Sequence, residues 1–423
     1  MMSSRERIQT YLDRDFTEPI RDPLWNNIYL SPGLKKITHA GPFQELSAIR
    51  QLGPTYHVYP GATHTRLNHS LGVCHVARRM LGSLIRYPEC PDLSLEGVKA
   101  FLSACLLHDL GHFPYAHSLK ELPLKDHEIL TGEIVLSEPL RTILSEEVKT
   151  DPAAVAAIVD TGMDTADPEV LFFRNILSGV LDPDKMDYLN RDAYFCGVPY
   201  GIQDTEFVIT KIRPHRNGLA LTEQGLPAVE NILFSKYLMY RTVYWHKVVR
   251  IATAMIKKAI FYGLRDECIK PEDLYGLTDQ AFSSRFGREE FPYHQLIRGV
   301  TERRLYKSVW EEDFDIDFPA HAALLDLSTR FDREAAMAER LRARGIEVLP
   351  EEIIIDIPEN ISFEISLPIL TETGEKPFSG SSSVFTPPVV RSFTGSLRKV
   401  RLFVAPRLVS LIPHPQELLG WNR

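Results

Sequence analysis

The sequence lacks the features of a secreted or membrane-spanning protein. Its five cysteines form no C-x-x-C pair, and Cys74 and Cys105 lie among the apolar residues of predicted helices, which is typical of a reducing compartment. No uninterrupted apolar run approaches about 18 residues, and the N-terminal stretch M-M-S-S-R-E-R-I-Q-T-Y has no apolar core for export. We therefore expect a cytoplasmic protein with no membrane partner.

The chain also has fewer basic residues than acidic ones. The chain has 48 Lys and Arg against 56 Asp and Glu, a net charge of −8, which argues against a stable nucleic-acid partner. Phosphate would have to be bound in a local pocket. The sequence has no internal repeat and no P-loop. Its 423 residues, 44% of them hydrophobic, are enough for two or three domains with a sizeable core.

The chain does contain an apolar helical run that ends in two adjacent metal-ligand residues, His108 and Asp109, within A-C-L-L-H-D-L-G-H-F-P-Y-A-H. Gly111 and Pro114 are predicted to stop this helix. An imidazole and a carboxylate together suit Mn, Fe, Zn, Ni or Mg better than they suit a soft metal. Taken alone, the pair fits a core histidine beside a capping aspartate even better.

Two other helices supply residues of the same kind. His69 opens a predicted amphipathic helix in T-R-L-N-H-S-L-G-V, and Asp184 lies in the first turn of another, where Asp182 is the predicted N-cap and Pro183 the first helical residue. Two imidazoles and two carboxylates could hold a divalent metal and leave positions open for water or phosphate. The predicted metal ligands are therefore His69, His108, Asp109 and Asp184.

The helix that carries Asp184 repeats polar residues along one stripe, with Tyr188 at i+4 and Asp192 at i+8. Lys185 stands beside the predicted ligand, where an ammonium could neutralise phosphate charge. An acidic amphipathic helix with ordinary side-chain pairs has the same spacing.

Three histidines follow the His-Asp pair. Histidine has an ordinary pKa near operating pH, so a group of histidines beside a metal indicates proton transfer to a leaving oxygen. These candidates are His112, His117 and His127.

Four segments carry a family resemblance: F-Q-E-L-S-A-I-R-Q-L-G (43–53), V-Y-P-G-A-T-H-T-R-L-N-H-S-L-G (58–72), H-D-L-G-H (108–112) and D-P-D-K-M-D-Y-L-N-R-D (182–192). From Asp22 to about Lys247 the chain resembles the HD-domain phosphohydrolases, and within them the deoxynucleoside triphosphate triphosphohydrolases. The resemblance implies attack of a metal-activated water on the α-phosphorus of a dNTP, giving deoxynucleoside and inorganic triphosphate.

The resemblance also implies roles for individual residues. His117 and His127 match the family's catalytic histidines, and His112 lines their pocket. The implied substrate contacts are Gln51 and Asp192 to the 3′-hydroxyl, Arg66, Lys185 and Lys236 to phosphate, and Tyr188 and Tyr244 to sugar or base, with His246 and Lys247 nearby. From chemistry alone, Gln51 fits a solvated or capping glutamine better than a binding residue, and Arg66 could equally be a partner in a surface salt bridge.

The sequence departs from the family pattern at two places. Lys120 occupies the position of an acid that orients the catalytic histidine, so either Glu121 substitutes or the proton relay is weakened. The family's D-P-x-H-G segment, where some members bind an activating nucleotide, reads D-P-L-W-N, with Trp25 and Asn26 in place of histidine and glycine. We expect a homo-oligomer that needs no guanine nucleotide activator.

The predicted fold is mostly α, and α+β overall. It has an HD-domain helical core (1–265), a helical extension (266–345) and a small β-containing C-terminal region (346–423).

Helices are predicted at 43–51, at about 228–264 and across 270–345. The clearest helical pattern runs from Asp332 to Arg344, and Gly345 is predicted to stop that helix. A hairpin is predicted at 207–222 with its turn at Asn217-Gly218, and strands are predicted where Ile361, Phe363, Ile365 and Leu367, and then Val400, Leu402 and Val404, alternate with polar residues. Between the strands, 374–388 is predicted to be a flexible loop.

Two alternatives stay open. The four predicted metal ligands account for activation of the attacking water but not for the choice of substrate. Another HD phosphohydrolase, such as a phosphodiesterase or an alarmone-type nucleotide hydrolase, would have the same four ligands. Only Gln51, Tyr188 and Asp192 favour deoxyribose. The second alternative is a nucleotide-sensing regulatory protein with little turnover, which Lys120 supports and the presence of all four ligands opposes.

Overall fold

Helices make up most of the computed structural model, which describes residues 2–216, 218–361, 363 and 366–420. The helices are α1 Ser4–Arg14, α2 Pro32–Ile37, α3 Gly41–Glu45, α4 Arg66–Leu84, α5 Leu95–Leu107, α6 His127–Val135, α7 Leu140–Thr142, α8 Pro152–Val159, α9 Pro168–Leu177, α10 Pro183–Cys196, α11 Thr205–Lys211, α12 Leu226–Met239, α13 Lys247–Arg265, α14 Asp279–Phe286, α15 His294–Thr301, α16 Pro319–Ala323, α17 Leu327–Ala343, α18 Pro387–Leu397 and α19 Pro415–Leu419. The strands are β1 Glu18–Asp22, β2 Asn26–Leu30, β3 Ile212–His215, β4 Gly218–Thr222, β5 Lys307–Asp313, β6 Ile353–Asp356, β7 Pro368–Thr371, β8 Gly374–Pro377 and β9 Lys399–Val404. The predicted fold class, a mostly α core with a β-containing C-terminal piece, is confirmed.

The helical core is built around α4, α5 and α10, which share one large cluster of buried apolar side chains. Local sequence sets where these helices begin. The Ser94 hydroxyl accepts a hydrogen bond from the Gly97 amide at 2.8 Å and starts α5. Asp182 accepts from the Lys185 amide with Pro183 in the first turn, so the predicted start of α10 is confirmed. These starts fix which residues of each helix face the neighbouring helices.

Three small sheets complete the fold. β1 and β2 form an antiparallel hairpin, and β3, β4, β7 and β8 form a four-stranded sheet in which the C-terminal strand β7 runs parallel to β4. The third sheet has the order β5-β9-β6, with β9 antiparallel to both neighbours. The C-terminal region thus pairs with strands from earlier parts of the chain.

Helix α13 joins the core to the C-terminal region. Its apolar face belongs to a second buried cluster that also includes Leu119, Leu122 and Phe403. Its polar face carries three cations, each paired with an acid from elsewhere: Arg250 with Asp356, Lys257 with Glu121, and Lys258 with Glu334. Because these pairs are largely buried, α13 is fixed on two sides at once.

Two predicted helices are interrupted. The helix predicted at 43–51 ends at Glu45, and a 3-10 turn at Leu46–Ala48 leads into backbone pairing between Arg50 and Thr65. The helix predicted at about 228–264 breaks after a π-helical turn at Tyr240–Tyr244. At that break His246 is not helical, and its Nδ1 accepts from the Val248 amide at 3.2 Å, which starts α13 as a new helix.

Three other predictions were wrong in part, and a fourth was wrong. Residues 207–211 are helical, because Asp204 caps α11 through the Phe207 amide at 2.9 Å, and the hairpin strands are only 212–215 and 218–222. The stretch 270–345 contains the strand β5, whose partner β9 lies some ninety residues further along the chain. The predicted loop 374–388 contains β8 and the start of α18. Helix α17 and strand β9 are confirmed where predicted. The strand predicted from Ile361 to Leu367 is wrong, because Ile361, Phe363 and Leu367 are buried in the core cluster without being in a strand, and β7 begins only at Pro368. Asn217 and Ile365 lie outside the described residues.

Among the helices that the structure describes, none is both long and apolar enough to cross a membrane.

Candidate active site

A cavity of about 690 Å³ lies between the HD core, α13 and the first residues after β6. All the residues predicted from sequence to form the site line it: Gln51, Arg66, His69, His108, Asp109, His112, His117, His127, Asp184, Lys185, Tyr188, Asp192, Lys236 and Tyr244. His246 and Lys247 do not, since His246 caps α13 and Lys247 lies 3.4 Å from Glu311.

The predicted metal ligands converge in this cavity. Ligand atoms of His69, His108 and Asp109 all lie within 4.8 Å of one another, so this group is able to bind a metal ion. Asp184 Oδ1 lies 2.8 Å from His69 Nε2 and 3.8 Å from His108 Nε2. The Nδ1 of His108 is 2.9 Å from the Cys105 carbonyl, whereas its buried Nε2 has no hydrogen-bond partner among the described residues. This lone nitrogen, facing a carboxylate, fits a divalent metal.

The orientation of His69 is set by groups behind it. Its Nδ1 lies 2.9 Å from Asp187 Oδ2, which leaves Nε2 directed at the metal ligands. Asp187 in turn accepts two hydrogen bonds from the fully buried Arg191, at 2.8 and 2.9 Å, and one from the indole of Trp25 at 2.5 Å. Burial alone would raise the pKa of Asp187, but Arg191 and His69 outweigh it and hold that pKa well below its usual range.

Asp187 and Arg191 were not identified from sequence as site residues. Both lie in the segment that carries Asp184, and their i, i+4 spacing was a signal that could have indicated a pair on α10. That spacing did not indicate that the pair faces His69 rather than solvent.

The three predicted catalytic histidines form a contiguous group. His112 Nε2 lies 3.1 Å from His117 Nε2, and the ring centroids of His112 and His127 are 4.0 Å apart. The other nitrogen of His112, Nδ1, is 3.0 Å from Asp109 Oδ1, so the group abuts the metal ligands. Burial, and then the positive charge of Arg66, lowers the pKa of His112 and of His117, and burial lowers that of His127 to about 4. Neutral imidazoles of this kind can accept and pass on protons.

Apart from the predicted metal ligand Asp109, the acid beside these histidines is not the Glu121 considered from sequence. Glu121 points away, towards Arg330 and Lys257, so the alternative in which Glu121 replaces the family's acid is wrong. Asp126 Oδ1 instead lies 3.0 Å from His127 Nδ1. Sequence reasoning missed it because Asp126 also caps α6, accepting from the Glu128 amide at 2.9 Å, and capping alone explains an aspartate there.

Two predicted phosphate contacts are already engaged with carboxylates. Arg66 is buried and donates to Asp109 Oδ2 at 2.8 Å, which rules out the exposed salt bridge considered above. Lys185 Nζ donates to Asp182 Oδ2 at 2.5 Å and to the Gly179 carbonyl at 2.9 Å. Both cations are therefore held in place, and both line the cavity.

A hydrogen-bonded chain forms the wall around Asp192. This carboxylate accepts from the Tyr244 hydroxyl at 2.6 Å, and its other oxygen lies 2.8 Å from His64 Nε2. The His64 carbonyl accepts from the Gln51 amide at 3.0 Å, while Gln51 Oε1 is buried and has no hydrogen-bond partner among the described residues. His64, which was not identified from sequence as a site residue, thus links the Gln51 backbone to Asp192, and Gln51 itself lines the cavity.

Comparison with known proteins agrees with this geometry. The HD domain family matches residues 66–167, and the HD associated region matches residues 203–384. The uncharacterized protein YwfO of Bacillus subtilis is 35% identical over 297 residues, which are 68% of this chain and 64% of YwfO. The uncharacterized protein MJ1154 of Methanocaldococcus jannaschii is 31% identical over 69% of this chain and 59% of its own length. The chain thus spans about three fifths of these two curated relatives.

Two more distant relatives are informative, one about the class of protein and one about the fold. The deoxynucleoside triphosphate triphosphohydrolase SAMHD1 of Bos taurus is 23% identical over 393 residues, 84% of this chain and 65% of SAMHD1. The crystal structure of a hypothetical protein from Aquifex aeolicus superposes with a TM-score of 0.72 at 27% identity, covering 93% of this chain and 98% of that one.

The helical fold, with two histidines and two aspartates converging at one cavity, defines an HD-domain protein. The chain belongs to the HD superfamily of phosphohydrolases, and within it resembles the deoxynucleoside triphosphate triphosphohydrolases.

Proposed function

We propose that this protein is a metal-dependent phosphohydrolase that cleaves a dNTP to deoxynucleoside and inorganic triphosphate. The observation that carries the proposal is the convergence of His69, His108, Asp109 and Asp184 beside three histidines in one cavity. A divalent metal bound there, Mn, Mg, Fe, Ni or Zn, would supply a water of lowered pKa as the nucleophile.

In this reaction water adds to the α-phosphorus and the bond to the 5′-oxygen breaks, so the leaving 5′-oxygen needs a proton. His117 and His127 lie in the same cavity as the ligands and act as the proton-transfer groups, with Asp126 placed to orient His127. Arg66 and Lys185 are buried or half-buried cations at the cavity wall, where they would balance phosphate charge.

The sugar is held by the chain of groups around Asp192. The unpartnered Gln51 Oε1 can accept a hydrogen bond from a 3′-hydroxyl, and Asp192 lies on the same wall. We propose that Tyr188, which lines the same cavity, excludes ribose by crowding its 2′-hydroxyl and by the cost of burying a misplaced hydroxyl. No group in the cavity was identified as a reader of the base, so we propose weak discrimination among the four dNTPs.

The decisive experiment is a product analysis. Purified protein is incubated with Mn or Mg and a panel of dNTPs, NTPs, cyclic nucleotides and alarmone-type nucleotides, and products are separated by chromatography. Deoxynucleoside with intact triphosphate is the expected result. Cleavage of phosphodiesters alone, or of alarmones alone, would assign the protein to another HD phosphohydrolase class, and binding without turnover would assign it to nucleotide sensing.

Replacing Gln51 by alanine is expected to reduce dNTP hydrolysis at least tenfold while metal content is kept. A lost hydrogen bond to a substrate hydroxyl costs about 0.5–1.5 kcal/mol, and leaving a buried polar group unpaired costs more. Gln224→Ala is the matched control, because Gln224 is exposed and outside the cavity. If Gln51→Ala and Gln224→Ala hydrolyse dATP equally fast, Gln51 does not bind the sugar.

We propose a homo-oligomer whose turnover needs no guanine nucleotide activator. Asp22 is buried, and its oxygens already accept hydrogen bonds from the amides of Leu24 and Trp25 and from Arg191, at 2.8–2.9 Å. A carboxylate satisfied in this way is not available to an activator. Adding GTP or dGTP to a dATP assay is therefore expected to leave the initial rate within about twofold, and a larger stimulation at micromolar GTP would overturn the proposal.

A further inference from the structure

The segment that carries two of the three catalytic histidines has little structure of its own. Between α5 and α6, residues 108–126 contain only one short 3-10 turn, Ala116–Leu119, and Tyr115 before it has a left-handed backbone with φ of 65°. Its apolar residues Leu119 and Leu122 are buried in the cluster around α13. The position of His117 therefore depends on what the segment contacts.

Towards the C-terminal half of the chain, the segment is held by an ion cluster that we call the Glu121 clasp, made of Glu121, Lys257 and Arg330. Arg330 donates two hydrogen bonds to the Glu121 carboxylate, at 2.9 and 3.2 Å, and Lys257 donates a third. Burial alone would raise the pKa of Glu121, but the two cations outweigh it and lower that pKa to about 2. The Glu121 carboxylate is therefore charged at neutral pH.

Arg330 is itself held rigidly. Its side chain is only 3% exposed, and its Nε donates to the Leu324 carbonyl at 3.0 Å. One turn further along α17, Glu334 pairs with Lys258 of α13 and accepts the Ile355 amide of β6 at 2.6 Å. Because α17 is fixed to both α13 and the C-terminal sheet, it presents Arg330 to Glu121 as a preorganised anchor.

We propose that Arg330, far from the HD motif in sequence, is a positioning residue for His117 that acts through Glu121. This inference rests on the proposed function. Glu121 follows His117 by four residues, and His117 meets His112 at 3.1 Å, so a shift of the segment moves His117 relative to the metal ligands. A misplacement of about 1 Å costs on the order of 100-fold in rate. A residue from the C-terminal half of the chain would then help to position a catalytic histidine of the HD core.

The test compares Arg330→Gln, Arg330→Lys and the control Arg333→Gln, which lies on the same helix without lining the cavity. Assays run well below each variant's melting temperature. We expect kcat for dATP to fall about 10- to 100-fold in Arg330→Gln, while KM and bound metal stay within about twofold of wild type. Arg330→Lys keeps the charge and loses the two-pronged geometry, so it should recover part of the rate.

Hydrogen–deuterium exchange gives a readout that does not depend on turnover. Amides in residues 113–124 should exchange faster in Arg330→Gln than in wild type or Arg333→Gln, with other regions unchanged. Unchanged exchange in this segment, or faster exchange with an unchanged kcat, would overturn the inference.

A third result separates the inference from the proposed function. If wild-type protein hydrolyses no nucleotide, the proposed function fails, and the exchange data alone decide whether Arg330 holds the segment. If KM rises and metal content falls together with the loss of kcat, Arg330 has a general structural role and the positioning role is wrong.

Discussion

Asp184→Ala is expected to lose its bound divalent metal and to hydrolyse dATP about 1,000-fold more slowly than wild type. Asp184 Oδ1 lies 2.8 Å from His69 Nε2 and faces the unpartnered Nε2 of His108, so its removal leaves an incomplete ligand set. A bound metal contributes several kcal/mol to catalysis, and about 1.4 kcal/mol corresponds to tenfold in rate. Metal content by elemental analysis and initial rates under excess Mn are the measurements.

The control for this variant is Asp164→Ala, an exposed aspartate in the loop before α9, which should behave as wild type in both measurements. Because Asp184 is partly exposed while the residues behind it are buried, we expect the variant to stay folded, and circular dichroism checks this. An Asp184→Ala protein that keeps one equivalent of metal and wild-type activity would show that the ligands lie elsewhere.

The metal ligands could be predicted from sequence because residues of ligand type lie at the ends of three predicted helices, a combination more specific than any one of them. His108 and Asp109 interrupt an apolar run, and Asp184 follows an Asp-Pro start that sets its place in the first turn of α10. Each signal is local, and the structure brings the four residues into one cavity. Their roles stay predictions until metal and activity are measured.

The supporting residues could not be predicted in the same way. Asp187 and Arg191 look like an ordinary i, i+4 pair on a helix surface, and only tertiary packing directs them at His69. Glu121 had been considered as an orienting acid, but its partner Arg330 lies 209 residues further along the chain. A local sequence pattern does not specify a contact between two residues so far apart along the chain.

The same limit explains the errors in secondary structure. Strand β5 was included in a helical stretch because its stability comes from pairing with β9, which no local pattern reveals. The break before α13 depends on His246 capping its own helix through Nδ1, a role that histidine seldom takes. In both cases tertiary or side-chain contacts overrode the local pattern.

Asp187→Ala is expected to lower the free energy of unfolding by about 3–5 kcal/mol, the usual cost of breaking a buried ion pair by removing one partner. Arg191 is fully buried and would keep only its contact with Asp22, at 2.8 Å. The pair packs tightly against α4, since a Cβ on Gly72 would lie 1.9 Å from Asp187 Oδ1. Urea denaturation of the metal-free protein measures the effect.

Two further variants separate charge from hydrogen bonding at Asp187. In Asp187→Asn the amide oxygen still accepts from His69 Nδ1 but no longer balances Arg191, so metal affinity should fall less than in Asp187→Ala, where the loss should reach about 10- to 100-fold. The double variant Asp187→Leu/Arg191→Met removes both charges and should recover part of the stability lost in Asp187→Ala, without recovering metal affinity. If the double variant is instead less stable than Asp187→Ala, the cost lies in packing around α4 and α10 or in the buried Asp22 that loses Arg191, and the unpaired guanidinium is not its cause.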